Sequence, residues 1–232
     1  MPKPVCVVVG VGPGTGAAIA RRFAADHAIA LVARTTETSA ELARELPGAR
    51  AYACDATDAA SVAQAVAAIE RDQGSIGVVA YNAGSGSFGT VETITPGDLE
   101  RAFRVNALGL LLFAQAVIPG MTARGTGAII VTGATASRRG GARAAGFAPA
   151  KAAQRSLAES MARQLWPKGI HVALIIVDGV IDLARTRAQM PDKPDSFFVR
   201  PEDLAATVYH LATQPRSAWS FEVEARPFGE TW

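Results

Sequence analysis

Seven residues near the amino terminus, Gly10-Val11-Gly12-Pro13-Gly14-Thr15-Gly16, have the make-up of a phosphate cradle. A Cβ in such a turn blocks the tight bend and the close approach of a pyrophosphate. An apolar run, 5–9, comes before the turn and a helical segment, about 15–25, comes after. That placement aims free N–H groups and the positive end of a helix dipole at an anion. Gly12, Gly14 and Ala17 fit G-x-G-x-x-G/A, while Gly10, Gly14 and Gly16 fit G-x-x-x-G-x-G, with Thr15 inside both.

The next apolar run, 28–33, leads into Arg34. Folds that bind NAD place an Asp or Glu about 20 residues beyond the glycines, where it meets the ribose 2′-hydroxyl. No acid occurs from Ala28 to Thr36. Arg34 instead carries a planar, permanently charged fork suited to a 2′-phosphate, which favours NADP over NAD. The plainer alternative is a solvated surface arginine.

These residues need elements to position them, and the apolar pattern supplies an alternation. Strand-like runs are read at 5–9, 28–33, 49–54, 76–81, 128–132, 171–177 and 220–225. Helical segments are read at about 15–25, 37–46, 58–72, 96–123, 145–166 and 201–213. Asp58 is placed to cap the third helix, and Pro201 with Glu202-Asp203 opens the last. Alternating strands and helices imply an α/β, doubly wound Rossmann fold with a parallel sheet of about seven strands. Ligands of such sheets bind beyond the carboxyl ends of the strands. No linker or repeat interrupts the pattern, so residues 1–232 read as a single domain.

Composition narrows the class. Charged residues make up 19% of 232, and the net charge of +2 gives no footing for a nucleic-acid surface. The longest apolar stretch, 107–121, falls short of the ~20 residues a membrane span needs. Cys6 and Cys54 sit inside apolar runs, as buried thiols do in a reducing compartment. His27, His171 and His210 are scattered, so no metal site is expected. The reading is a cytoplasmic protein acting on a small molecule.

Further motifs resemble the short-chain dehydrogenase/reductase family. The turn at Gly10–Gly16 resembles its cofactor loop. Asp55 resembles the Asp that contacts adenine, and Asn82-Ala83-Gly84 the N-A-G turn after the fourth strand. Asn106 resembles the Asn of the long central helix, and Lys151 the Lys of Y-x-x-x-K. The match runs through nearly the whole chain in order. It implies NADP (or, less favoured, NAD) as cofactor, with Lys151 on the nicotinamide ribose and the Ile181 backbone, after Gly179, on the carboxamide. It also implies a homodimer or homotetramer packed through the helices at 96–123 and 145–166.

Departures fall at the reaction centre. The family's catalytic Tyr lies four residues before the Lys, and this chain has Phe147 there. The family's Ser lies thirteen residues before the Tyr, at Ala134; a shift of one or three residues brings in Thr135 or Ser137. Phe147 has no hydroxyl, so the acid that such a site uses, worth ~10²–10⁴ in rate, is missing. Loss of the Ser also removes a hydrogen bond to the developing oxyanion. Where the family commonly has P-G-x-[VI]-x-T, Asp178 replaces the Pro and Leu183 the Thr; Asp178 and Asp182 are each a substitute proton donor or a helix cap. Arg138, Arg139 and Arg143 read as an anion-recognition patch or a solvated loop. Residues 182–200 occupy the place of a substrate lid, with Phe197 and Phe198 as lid or packing residues. Two functions remain open: an NADP-dependent oxidoreductase working on a carbonyl or activated alkene, and a non-catalytic dinucleotide-binding protein.

Overall fold

The computed structural model describes residues 3–230. Its first half is β1 (Val5–Val9), α1 (Thr15–Phe23), β2 (Ala28–Ala33), α2 (Glu37–Glu45), β3 (Arg50–Ala53), α3 (Ala59–Gln73) and β4 (Ile76–Tyr81). The second half is α4 (Pro96–Phe103), α5 (Gly109–Arg124), β5 (Gly127–Ala134), α6 (Phe147–Leu165), β6 (Ile170–Val177), β7 (Val180–Ile181), α7 (Ala184–Gln189), β8 (Phe198–Val199), α8 (Pro201–Ala212) and β9 (Glu222–Ala225).

Seven strands form one parallel sheet in the order β3-β2-β1-β4-β5-β6-β9. β1 and β6 are buried along their whole length, which is why they read as unbroken apolar runs. Successive side chains of β1 enter opposite cores. Val5, Val7 and Val9 join one with Phe113, Val117 and Leu165; Cys6 and Val8 join the other with Ile19, Phe23 and Leu211. Strand order reverses between β1 and β4. The crevice there is where a doubly wound sheet receives its ligand.

Helix starts follow local chemistry. Asp58 caps α3 by accepting from the Ser61 N–H at 2.6 Å. Thr95 and Asp98 form a reciprocal capping box at α4, with Pro96 in its first turn. Between α4 and α5 the chain widens into a π-turn, Arg104–Leu108, without breaking the helical run. Together these make a 29-residue helix, long and apolar enough by length and composition to cross a membrane. The apolar helical run is thus longer than the 107–121 stretch suggested. One face of it enters the core, with Leu110, Phe113, Val117 and Met121 buried.

The largest departure from the expected pattern is in 182–200. That stretch holds α7 and β8, and β8 pairs in parallel with β7 as a separate two-stranded sheet. β5 also runs two residues further than its apolar run, to Ala134, because β6 pairs with it through Val177.

Candidate active site

The glycine turn is docked on β4. Gly10 has φ +89°, and a Cβ there would stand 2.5 Å from the backbone of Ala83. The Asn82 N–H donates to the Val9 carbonyl at 2.9 Å, and its Nδ2 donates to the Gly10 carbonyl at 2.9 Å. Asn82-Ala83 therefore sets the shape of the turn. Gly12 differs: nothing lies within 4 Å of where its Cβ would be. α1 begins at Thr15 with Gly14 as N-cap and no side-chain cap, so its first amides are served by no capping side chain. Gly14 and Gly16 are both closely approached, Gly14 by the Leu183 side chain and Gly16 by the Gly10 carbonyl. Leu183 thus lays the start of the 182–200 segment across the turn, a contact the sequence did not signal.

Arg34 is exposed at the carboxyl end of β2. Asp55 follows β3, and its Oδ1 accepts from the Thr57 N–H at 2.9 Å and hydroxyl at 2.8 Å. Those two bonds hold the Asp55 carboxyl below its ordinary value, with a smaller contribution from the Arg34 charge. The two residues thus share one neighbourhood beside the glycine turn.

Asn106 lies in the π-turn and is 0% exposed. Its Nδ2 donates to the carbonyls of Ser85 at 3.0 Å and Ala102 at 2.9 Å. Its Oδ1 is buried and has no hydrogen-bond partner among the described residues. A Cβ built on Gly84 would lie 3.4 Å from that oxygen and 3.8 Å from Lys151 Nζ. Asn106, Lys151 and Gly84 therefore converge on one small space. Such a buried acceptor is costly unless a ligand or water meets it.

Lys151 is 5% exposed, on the buried face of α6. Its Nζ donates to the Thr132 carbonyl at 2.8 Å and to Gln154 Oε1 at 2.9 Å. Burial pushes the ammonium down to about 7. Gln154 was not singled out by motif; its only signal is an amide on an otherwise apolar helix face, three residues past Lys151.

Phe147 opens α6, four residues before Lys151. Lys151 Nζ stands 6.0 Å from its ring centroid, and the exposed Phe88 packs on the ring at 5.1 Å. Position 147 thus presents hydrocarbon. Ala134 ends β5, and its N–H donates to Ser137 Oγ at 3.1 Å. The Thr135 hydroxyl donates to Asp178. Both hydroxyls that a register shift would bring in are therefore engaged in internal bonds.

The two acids after β6 are ion-pair members; of the two roles read for them, proton donor or helix cap, neither side chain takes the cap. Asp178 pairs with Arg226 at 2.6 Å, with both side chains nearly buried, and Arg139 approaches it at 3.8 Å. Asp182 accepts both arms of Arg187 at 2.7 Å. The Arg187 hydrogen bonds hold the Asp182 carboxyl below its ordinary value. Arg187 also binds Asp195 at 2.7 Å and lies 4.1 Å over the Phe198 ring. Phe198 is a buried packing residue. Arg138, expected as anion reader or solvated residue, instead clamps Glu222 and Glu224 of β9; Arg143 is exposed. The Ile181 carbonyl accepts from the Thr186 hydroxyl at 2.6 Å. Gly179 is needed because a Cβ there would meet Pro227 at 2.6 Å.

The tyrosine hydroxyls are committed too. Tyr81 donates to the Val105 carbonyl at 2.6 Å, Tyr209 to Asp26 at 2.5 Å, and Tyr52 to Gln73 at 3.4 Å.

Comparison with known proteins agrees with this geometry. The profile of the family described as short chain dehydrogenase matches residues 4–194, so the chain belongs to that family, whose members are oxidoreductases. It is 33% identical over 233 residues to galactitol 2-dehydrogenase of Agrobacterium fabrum, covering 90% of each chain. It is 31% identical to the inactive 2-(S)-hydroxypropyl-CoM dehydrogenase 2 of Xanthobacter autotrophicus, covering 80% of this chain and 87% of that one. Among solved structures, a metagenomic short-chain oxidoreductase in complex with NADP superposes with a TM-score of 0.84. The two are 28% identical, and the alignment covers 99% of each chain.

Proposed function

We propose that this chain is an NADP-dependent oxidoreductase of a small carbonyl compound or activated alkene, working without a hydroxyl at position 147. The observation that carries the reading is the glycine turn itself. It is locked onto Asn82-Ala83 on one side and open at Gly12 on the other. The similar metagenomic oxidoreductase holds NADP.

The residues fit such a cofactor. Gly10, Gly12, Gly14, Thr15 and Gly16 would receive the pyrophosphate on the α1 amides. Arg34 would take the 2′-phosphate, and Asp55 and Ala83 would flank the adenosine half. Lys151, Asn106 and Gly84 would surround the nicotinamide ribose, where the unpartnered Asn106 Oδ1 marks an unmet hydrogen bond. Gly179 and the Ile181 backbone would face the carboxamide. When bound, the cofactor would supply the hydride, and this chain's residues would orient it. Phe147 and Ala134 stand where the family keeps its Tyr and Ser, so no side-chain hydroxyl gives the substrate its proton. Thr135, the neighbouring hydroxyl, is spent on Asp178. An activated alkene, whose reduction does not require an alkoxide to be protonated at once, suits this arrangement as well as a carbonyl.

We read residues 1–232 as one cytoplasmic domain with 182–200 as its lid. A second copy packs against α5, which is apolar on every side yet leaves Leu111, Leu112 and Ile118 only half-buried.

A second reading is a dinucleotide-binding protein without turnover. Phe147 favours it, and one relative of similar identity is named inactive. NADPH fluorescence titration, followed by NADPH oxidation over a panel of ketones, enones and enoyl thioesters, separates the two. Turnover on any member supports the enzyme. Micromolar binding with no turnover on the whole panel supports the second reading.

A further inference from the structure

We propose that Gln154 is a positioning residue that ties Lys151 to the main-chain carbonyl of Asn106, holding the Lys151 amino group in place at Gly84. The proposal rests on the cofactor reading above for its purpose, but its geometry stands alone.

Gln154 is 0% exposed and makes two directed bonds. Its Oε1 accepts from Lys151 Nζ at 2.9 Å, and its Nε2 donates to the Asn106 carbonyl at 3.0 Å. The amide does both at once, whereas an ionised Glu cannot donate and an aliphatic side chain does neither. The bridge joins α6 to the π-turn, the two elements that carry Lys151 and Asn106. An ammonium has three donors. Two are taken by Gln154 and the Thr132 carbonyl, which leaves one for a ligand oxygen near Gly84. The two acceptors are an amide oxygen and a peptide oxygen, and neither passes a proton onward at neutral pH. Lys151 is therefore positioned for binding.

The groups around Nζ are uncharged on every side: Thr132 of β5, Asn106 of the π-turn, Gly84 after β4, and Phe147 and Gln154 of α6. Burial alone lowers the ammonium to about 7. The Gln154 acceptor then favours the charged form, so its removal has a direct readout.

The test is a pH titration of lysine side-chain carbon shifts by NMR on unliganded full-length protein, with the Lys151 signal assigned by Lys151→Arg. Gln154→Met, similar in length but without the amide, moves the Lys151 midpoint down by about one pH unit. Gln154→Glu, which keeps an acceptor and adds charge, moves it up by at least as much. An unchanged midpoint in either variant overturns the proposal, and Gln154→Glu alone decides if Gln154→Met does not fold. NADPH titration of the wild type is run alongside. If the wild type does not bind NADPH, the cofactor reading falls while the Lys151 midpoints still judge the bridge.

Discussion

The carboxyl ends of β1 and β4 are built differently from those of β5 and β6. At β1 and β4 the contacts are between main chains. Gly10 meets Ala83, Asn82 serves the Gly10 carbonyl, and Gly12 is left open. At β5 and β6 the polar side chains bind one another. Thr135 and Arg226 hold Asp178, Arg187 holds Asp182, and Arg138 holds Glu222 and Glu224. The first region is shaped to receive an anion from outside. The second has turned its acids and hydroxyls inward, which under the proposed function leaves them unavailable to replace a hydroxyl at 147.

The sharpest break would come from Gly10→Ala. A Cβ there meets the Ala83 backbone, at a positive φ. The expected cost is about 3 kcal/mol or more, lowering Tm by roughly 6–12 °C. A Tm within 2 °C of wild type would mean that the turn is not docked on β4.

Asp178→Asn tests the inward-turned region. It removes the Asp178 charge from a nearly buried ion pair with Arg226 and costs about 2–3 kcal/mol by urea midpoint. Full stability combined with lost turnover would instead make Asp178 a proton donor.

Lys151→Met separates binding from stability. The folded value of about 7 lies below the ordinary lysine value, so the unfolded chain holds an extra proton between the two. The lysine's burial penalty is full below pH 7 and fades as pH rises toward 10. The variant is therefore more stable than wild type by about 2 kcal/mol at pH 6, with the gain shrinking by pH 10, and loses NADPH binding. A pH-independent difference in Tm would contradict this.

Arg34→Ala has the smallest effect. NADPH affinity falls about tenfold while NADH affinity holds, because one charge-assisted pairing is lost. Equal loss for both cofactors would place Arg34 elsewhere than on the 2′-phosphate.

What the sequence revealed follows the same division. β1, β2 and β4 were readable to the residue because burial on both faces leaves unbroken apolar runs. The glycine turn was readable because its geometry demands particular residues at fixed spacing. The ion pairs were not: Arg226 reaches Asp178 across 48 residues, and no local pattern announces the meeting. β7 and β8 are two residues each, too short to carry a period. Gln154 escaped notice because its partners, Lys151 and the Asn106 carbonyl, meet only when α6 packs on the π-turn.

The central claim is that the cofactor end is intact and only a proton donor is missing. Its most direct test is the initial rate of NADPH oxidation with a ketone panel, comparing wild type with Phe147→Tyr plus Ala134→Ser. Restoring the two hydroxyls is expected to raise ketone reduction by about 10²-fold or more. A double variant that binds NADPH as wild type does, yet gains nothing on any ketone, would contradict the account.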